Sequence, residues 1–275
     1  MAENPLAPPR NRHLLEFFAR QYDLRLPGHR LQSLGALARS FSRLPYENLT
    51  KIIRSSRNGK GPSARRLPAQ VLTDHQDLGT GGTCFSLTAA LLHLVRSLGF
   101  KAQPILADRH YGADTHSALL VWIRGRPHLL DPGYLVVEPI PLEESRDVEV
   151  KTPFNHLLLS PESRGRMRLY TRQQGGRNHR LTFKTSPADP GQFLKAWDES
   201  FSWEMMTHPL LTRVQGDKQI FLNGRRLQIR THTDVVRTEL DPAELQRQIA
   251  AAFGIAAPVV RSALAILDDA SRGSS

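Results

Sequence analysis

The chain has 275 residues, 40% hydrophobic and 23% charged, the balance of a globular protein of one large or two smaller domains. That excludes a disordered chain, a coiled coil and a collagen-like repeat, and the longest nearly apolar stretch, 250–260, is far short of the ~20 residues a membrane span needs. The net charge of +11 is spread along the chain, and 30 of the 37 basic residues are Arg, so it reads as composition rather than a nucleic-acid surface; it still suits a phosphate-bearing small molecule.

The first ten residues carry an acid, three prolines and no apolar core, so no secretory signal is expected and the expected compartment is the cytoplasm. Residues 13–20 place apolar side chains at helical spacing, and Leu31, Leu34, Leu37, Ala38 and Phe41 repeat the pattern. Pro45 ends that second helix. The polar stretch 55–66 reads as a surface loop, and 67–72 as a short helix. A glycine-rich turn at 79–83 precedes a buried helix marked by Phe85, Leu87, Leu91, Leu94, Val95 and Leu98, with Gly99 as its C-terminal cap.

From Phe100 the period changes. Segments 102–107, 117–123, 127–130, 155–159, 167–171 and 179–184 read as strands, separated by turn signals at Arg124-Gly125, Asp131-Pro132-Gly133 and Gly175-Gly176. A short helix follows at 189–202. Residues 219–222 and 226–229 flank Asn223-Gly224, a hairpin signal. Asp241-Pro242 then opens a helix, with Glu244 at its third position, and 259–268 adds a further turn or two.

A lone cysteine, Cys84, permits neither an internal disulfide nor a cysteine-based zinc site. It stands directly after the glycine turn, at a helix start. Unpaired backbone N–H groups there favour a thiolate, and the glycines leave room for a substrate beside the sulfur. A nucleophilic thiol needs a base, and the base an orienting group. His116 enters one strand and Asp131 leaves the next. With Arg124-Gly125 as a two-residue loop they become diagonal neighbours on one face, ~7–8 Å apart at the backbone. A three-residue loop would put them on opposite faces. Asp74-His75-Gln76-Asp77 reads as a solvated loop rather than a metal site.

These motifs resemble the arylamine N-acetyltransferase family. Thr80-Gly81-Gly82-Thr83-Cys84-Phe85-Ser86 is similar to its R-G-G-x-C-F-E, Thr115-His116-Ser117-Ala118-Leu119-Leu120-Val121 to its T-H-x-x-L-L-V, and Leu130-Asp131-Pro132-Gly133-Tyr134-Leu135 to its V-D-V-G-F-G. Pro45-Tyr46-Glu47-Asn48-Leu49 and the late hairpin also resemble family segments, so the likeness spans roughly residues 10–255 in order. It implies an α+β fold: a helical domain over 1–84, a central antiparallel β-barrel over 85–190 and an α/β lid over 191–275. It implies a cysteine-protease-like catalytic triad, with Cys84 as nucleophile, His116 as base and acid, and Asp131 as orienter. Acetyl-CoA is the implied acyl donor and a small-molecule amine the acceptor, with ping-pong kinetics and no metal, nucleic acid or membrane partner. An amide synthase of the same family, a hydrolase with the same triad and a non-catalytic homologue are the alternatives. The chain departs from the pattern at Thr80, Ser86, Pro132 and Leu135. Without the family arginine at position 80, Glu47 is expected to be exposed or paired with another base.

Overall fold

Helices fill the first part of the chain and antiparallel strands the middle, as the change of period at Phe100 predicts. In a computed structural model of the chain, residues 4–26, 31–152, 154–162, 165–173, 176–231 and 233–272 are described. The elements begin with helices α1 (His13–Gln21) and α2 (Leu31–Phe41), strand β1 (Tyr46–Glu47), and helices α3 (Leu49–Asn58), α4 (Pro68–Leu78) and α5 (Cys84–Ser97). Strands β2 (Ala102–Arg109), β3 (Gly112–Ile123), β4 (Arg126–Asp131), β5 (Val136–Pro141), β6 (Val148–Lys151), β7 (His156–Glu162), β8 (Arg166–Gln173) and β9 (Gly176–Lys184) follow. After helix α6 (Pro190–Glu199) come strands β10 (Leu210–Gln215), β11 (Lys218–Asn223), β12 (Arg226–Arg230) and β13 (Val235–Glu239), then helices α7 (Pro242–Phe253) and α8 (Ala257–Arg272).

Eight strands form one antiparallel sheet in the order β5-β4-β3-β2-β9-β8-β7-β6, curled into a nearly closed barrel. Its central strands are buried on both faces. Ile105, Ala107, Ala118, Leu120 and Leu129 join the core inside the barrel, while Leu106, Leu119, Val121 and Leu130 pack with the helices. This is the period-2 alternation of a strand read against two cores at once. The helical core also takes in Phe193, Trp197 and Phe201 from α6 and the turn after it. A third core lies between α3, the second sheet and the two C-terminal helices. That second sheet runs β1-β10-β11-β12-β13, so two residues from the helical part, Tyr46 and Glu47, pair with Thr212 and Leu211 far along the chain.

Several expectations need correction. Residues 49–58 are helix α3, so the first four residues of the expected 55–66 loop are helical, and residues 62–64 add a single 3-10 turn. Only Leu49, Ile52 and Ile53 mark α3 as amphipathic; α8, itself sixteen residues long, covers that face. Asp74 to Asp77 lie on α4, not in a loop. The late hairpin turns at Gly224-Arg225, because Asn223 pairs with Arg226. Gly224 takes φ +60 at the first loop position, where a type II′ turn favours glycine. Strands β1, β5, β6, β10 and β13 had no clear sequence signal. The expected turn at Gly175-Gly176 includes Gly175, which lies outside the described residues.

Candidate active site

Helix α4 ends at Gly79, whose φ of +68 gives the left-handed cap that glycine adopts at no steric cost. The turn beyond it is held from both sides. His75 Nδ1 donates to the Thr80 carbonyl at 2.8 Å and Arg66 Nη1 to that of Gly81. Gly82 N–H donates to the Pro45 carbonyl at 3.3 Å, and Glu47 N–H to the Gly82 carbonyl at 3.0 Å. A Cβ at Gly81 would stand 1.8 Å from the Pro45 carbonyl oxygen, so glycine is required for this approach. The turn delivers Cys84 as the first residue of α5, where backbone N–H groups lack helical partners and favour negative charge.

The loop between β3 and β4 is Arg124-Gly125, with φ of +50 and +78, the two positive values of a type I′ turn. The ladder runs from Ile123↔Arg126 to Leu119↔Leu130, the two-residue register considered above. His116 and Asp131 therefore share the barrel-facing side with Ala118 and Leu129. His116 Nε2 lies 2.7 Å from Asp131 Oδ2, with both side chains fully buried. The other carboxylate oxygen, Oδ1, accepts the Tyr134 N–H at 2.9 Å. The Cys84 side chain stands beside the His116 ring, so the three side chains meet in one buried group. A Cβ at Gly133 would fall 2.9 Å from Cys84 Cβ and 3.0 Å from His116 Cε1, so the space beside the thiol depends on this glycine. Leu135 is buried at φ +63, a conformation glycine adopts easily and leucine rarely; the departure from the family glycine keeps the glycine backbone.

The electrostatics of this line favour charge separation. Burial alone would push the His116 pKa down, but the Asp131 charge and hydrogen bond outweigh it and hold it at about 9. Burial would push the Cys84 thiol up. The bond to His116 and the imidazolium charge outweigh that, with Arg109 and Lys51 adding to the effect, and the thiol sits below its ordinary pKa. A proton on His116 and a thiolate on Cys84 stabilise each other.

Three nearby residues, Arg109, Lys51 and Arg66, carried no motif signal, and Glu47 lay in a motif without a partner. Arg109 Nη2 is 3.2 Å from His116 Nδ1. It is aimed there by an irregularity between β2 and β3, where Ala107 pairs with His116 but Arg109 with Gly112. Lys51 is buried, donates to the Ser200 carbonyl at 2.9 Å, and lies 4.6 Å from the Phe201 ring centroid. Burial pushes its pKa down to about 7. Glu47 is fully buried, bonded to the N–H of Thr50 at 2.9 Å and to its hydroxyl at 2.6 Å, with Arg66 3.8 Å away. Arg66 also reaches Asp74 at 2.8 Å. Arg66 thus occupies, from another point in the chain, the role left empty at Thr80. It sat in a stretch that reads as polar loop, and only the tertiary fold brings it to the glycine turn.

A cleft of about 400 Å³ opens between the barrel and the second sheet. Tyr46, Arg109, Gly133 and Leu135 line its inner end, and Arg180 and Arg230 also line it. It shares Asn155 and Arg230 with an outer groove of about 730 Å³ that includes Arg172 and Arg237.

The sequence matches the model of the N-acetyltransferase family over residues 30–260, and the chain belongs to that family; it is an acyltransferase. Solved arylamine N-acetyltransferases share its fold. The enzyme from Mycobacterium abscessus superposes with a TM-score of 0.80 at 19% identity, covering 95% of this chain and 99% of that one. The Nocardia farcinica enzyme gives 0.77 at 21% identity, over 95% and 97%. The Mycobacterium marinum enzyme, solved in complex with CoA, gives 0.79 at 19% identity, over 93% and 98%. No curated protein matches the chain. Among the described residues no helix is long and apolar enough to cross a membrane.

Proposed function

We propose that this acyltransferase carries an acetyl or other acyl group from acetyl-CoA or a related thioester to a small amine, by way of a thioester on Cys84. The observation that carries this reading is the buried line Cys84–His116–Asp131 beside an open cleft. The Cys84 thiolate attacks the donor carbonyl, and CoA leaves with the proton held on His116. The amine then attacks the acyl-Cys84 carbonyl, and neutral His116 takes its proton as the C–S bond breaks. Asp131 holds the ring and stabilises its charged form. The CoA complex of the Mycobacterium marinum enzyme supports CoA as the donor's leaving group. The outer groove, with Arg230 and Arg237, suits its phosphates.

The division into 1–84, 85–190 and 191–275 remains our reading of the chain, supported by three apolar cores, although α5 and α6 both contribute to the first of them. A cytoplasmic location is part of the same proposal. Release of CoA from acetyl-CoA, followed with and without an aromatic amine, tests the reaction class. Transfer predicts release that rises with amine and yields the amide in equal amount. Amine-independent release would identify a hydrolase, and activity only with a carrier-protein thioester would identify an amide synthase.

A further inference from the structure

The corner between α4 and the glycine turn is built from main chain. The His75 carbonyl accepts the Gly79 N–H at 2.9 Å, and the Leu78 carbonyl accepts the Ala256 N–H at 2.9 Å from the connection between α7 and α8. A Cβ at Gly79 would stand 1.9 Å from the Gly254 carbonyl oxygen, so the two helix ends touch backbone to backbone. From this corner residues 80–83 lead to Cys84, and the side chains at the two ends of that run do not hold it. The Thr80 hydroxyl is buried with no hydrogen-bond partner among the described residues, and the Thr83 side chain does not cap α5. Two carbonyls are held instead. Arg66 bonds that of Gly81, and His75 Nδ1 bonds that of Thr80 at 2.8 Å.

The His75 ring is itself held in one state. A carbonyl only accepts, so Nδ1 carries the proton. Nε2 is then the acceptor and takes a hydrogen bond from the Tyr22 hydroxyl, 2.6 Å away and just after α1. The two rings stack, with centroids 6.3 Å apart. Cations surround the pair. Arg43 lies 5.1 Å over the Tyr22 ring, and Arg213 from β10 reaches the same corner, its Nη1 2.6 Å from where a Cβ of Gly254 would stand. Burial pushes the His75 pKa down, the Thr80 bond works against that, and Arg213 and Arg66 add to the lowering. We propose that His75 is a positioning residue for the acyl transfer: protonated on Nδ1 and oriented by Tyr22, it fixes the Thr80 carbonyl and with it the glycine turn in the form that sets Cys84 beside His116. Without that bond the turn gains freedom at its first peptide and Cys84 shifts relative to the His116 ring. The thiolate–imidazolium pair, which depends on their closeness, then weakens.

This inference rests on the acyl-transfer reading, which formation of acetyl-Cys84 from acetyl-CoA in the wild type tests by itself; the role of His75 is read separately, on the thiol. The measurement is the pH profile of Cys84 alkylation by iodoacetamide in the wild type, His75→Asn and His75→Gln. The Asn amide nitrogen takes the place of Nδ1 and keeps the bond to Thr80, while the longer Gln amide takes the place of Nε2 and loses it. The expected result at pH 6 is a rate about 10-fold lower in His75→Gln, with the midpoint of the profile moved up, and a rate within about 2-fold of wild type in His75→Asn. Wild-type alkylation in both variants, whatever their melting temperatures, makes the bond structural only and overturns the proposal. Equal loss in both folded variants also overturns it, because the bond to Thr80 is then not the cause. If the His75 variants do not fold, Tyr22→Phe carries the test. It removes one hydroxyl and frees the ring to take its other tautomer, with a rate about 3-fold lower expected; an unchanged profile overturns the proposal.

Discussion

Asp131 spends one carboxylate oxygen on His116 and the other on the Tyr134 N–H, so its charge and its orientation are both committed. Asp131→Asn keeps the shape, loses the charge and presents an amide that favours the wrong ring tautomer. Turnover is expected to fall about 10³–10⁴-fold with the fold intact, and Cys84→Ala, His116→Ala and Asp131→Ala to lose activity without adding. Near-normal turnover of folded Asp131→Asn would remove it from the site. Arg66 is a test of packing instead. Arg66→Met leaves Glu47 buried without its cation, a loss of about 3–5 kcal/mol in urea melts, and Glu47→Gln in the same chain should restore much of it. Thr80 is fully buried, so Thr80→Arg would have to bury a further guanidinium and is expected to destabilise. Lys51 links stability to pH. Its folded pKa of about 7 lies below the unfolded 10.5, so between those values the unfolded chain binds more protons and stability rises with pH. Thermal melts of Lys51→Met should therefore gain most on wild type near pH 6 and lose that advantage near pH 10. At this scale Cys84, His116 and Asp131 were legible, because Cys84 follows a glycine turn at a helix start, Asp131 precedes a Pro-Gly turn, and His116 opens the apolar run of a strand, although β3 begins four residues before it. Arg66, Lys51 and Arg109 were not, since a basic residue in a polar segment looks alike whether the fold exposes or buries it.

The glycine turn and the β3–β4 hairpin position the site by different means, and alanine separates them. Gly81→Ala drives a methyl group into the Pro45 carbonyl and should displace the start of α5, with loss of both stability and acyl transfer. Gly125→Ala meets open space, and its cost is the positive φ alone, about 1 kcal/mol, with activity kept. Melting curves and activity of the two variants check the contrast; equal loss of activity in both would make the hairpin loop, not only its register, part of the site. The sequence left that register open between a two- and a three-residue loop, and the positive φ of both Arg124 and Gly125 with the Ile123–Arg126 pairing decides for two. Strand β5 was not, since Pro139 and Pro141 argue against a strand and only its place at the edge of the sheet allows them. Strand β13 is exposed along all five residues and so has no burial alternation to read. Helix α3 owes its burial to α8, some two hundred residues further on, a partner no local window contains.

Across the whole molecule, the helical core fixes Cys84, the barrel fixes His116 and Asp131, and the second sheet closes the cleft over them. Strand β1 ties these parts together. Tyr46 bridges to Gly82 in the glycine turn and pairs with Thr212 in the second sheet, so movement of that sheet is coupled to the backbone two residues before the nucleophile. The order of helices, barrel and mixed lid was visible in the sequence because the hydrophobic period changes where the architecture does. The pairing of β1 with β10 was not, since two residues carry no period. The central claim is that Cys84 holds the acyl group between the two half-reactions. Intact-mass spectrometry after incubation with acetyl-CoA and no acceptor tests it directly. The account predicts a single added acetyl mass, located on Cys84, lost on addition of an amine acceptor and absent in Cys84→Ala; no adduct with acetyl-CoA or other acyl-CoAs, or an adduct that persists in Cys84→Ala, would contradict it.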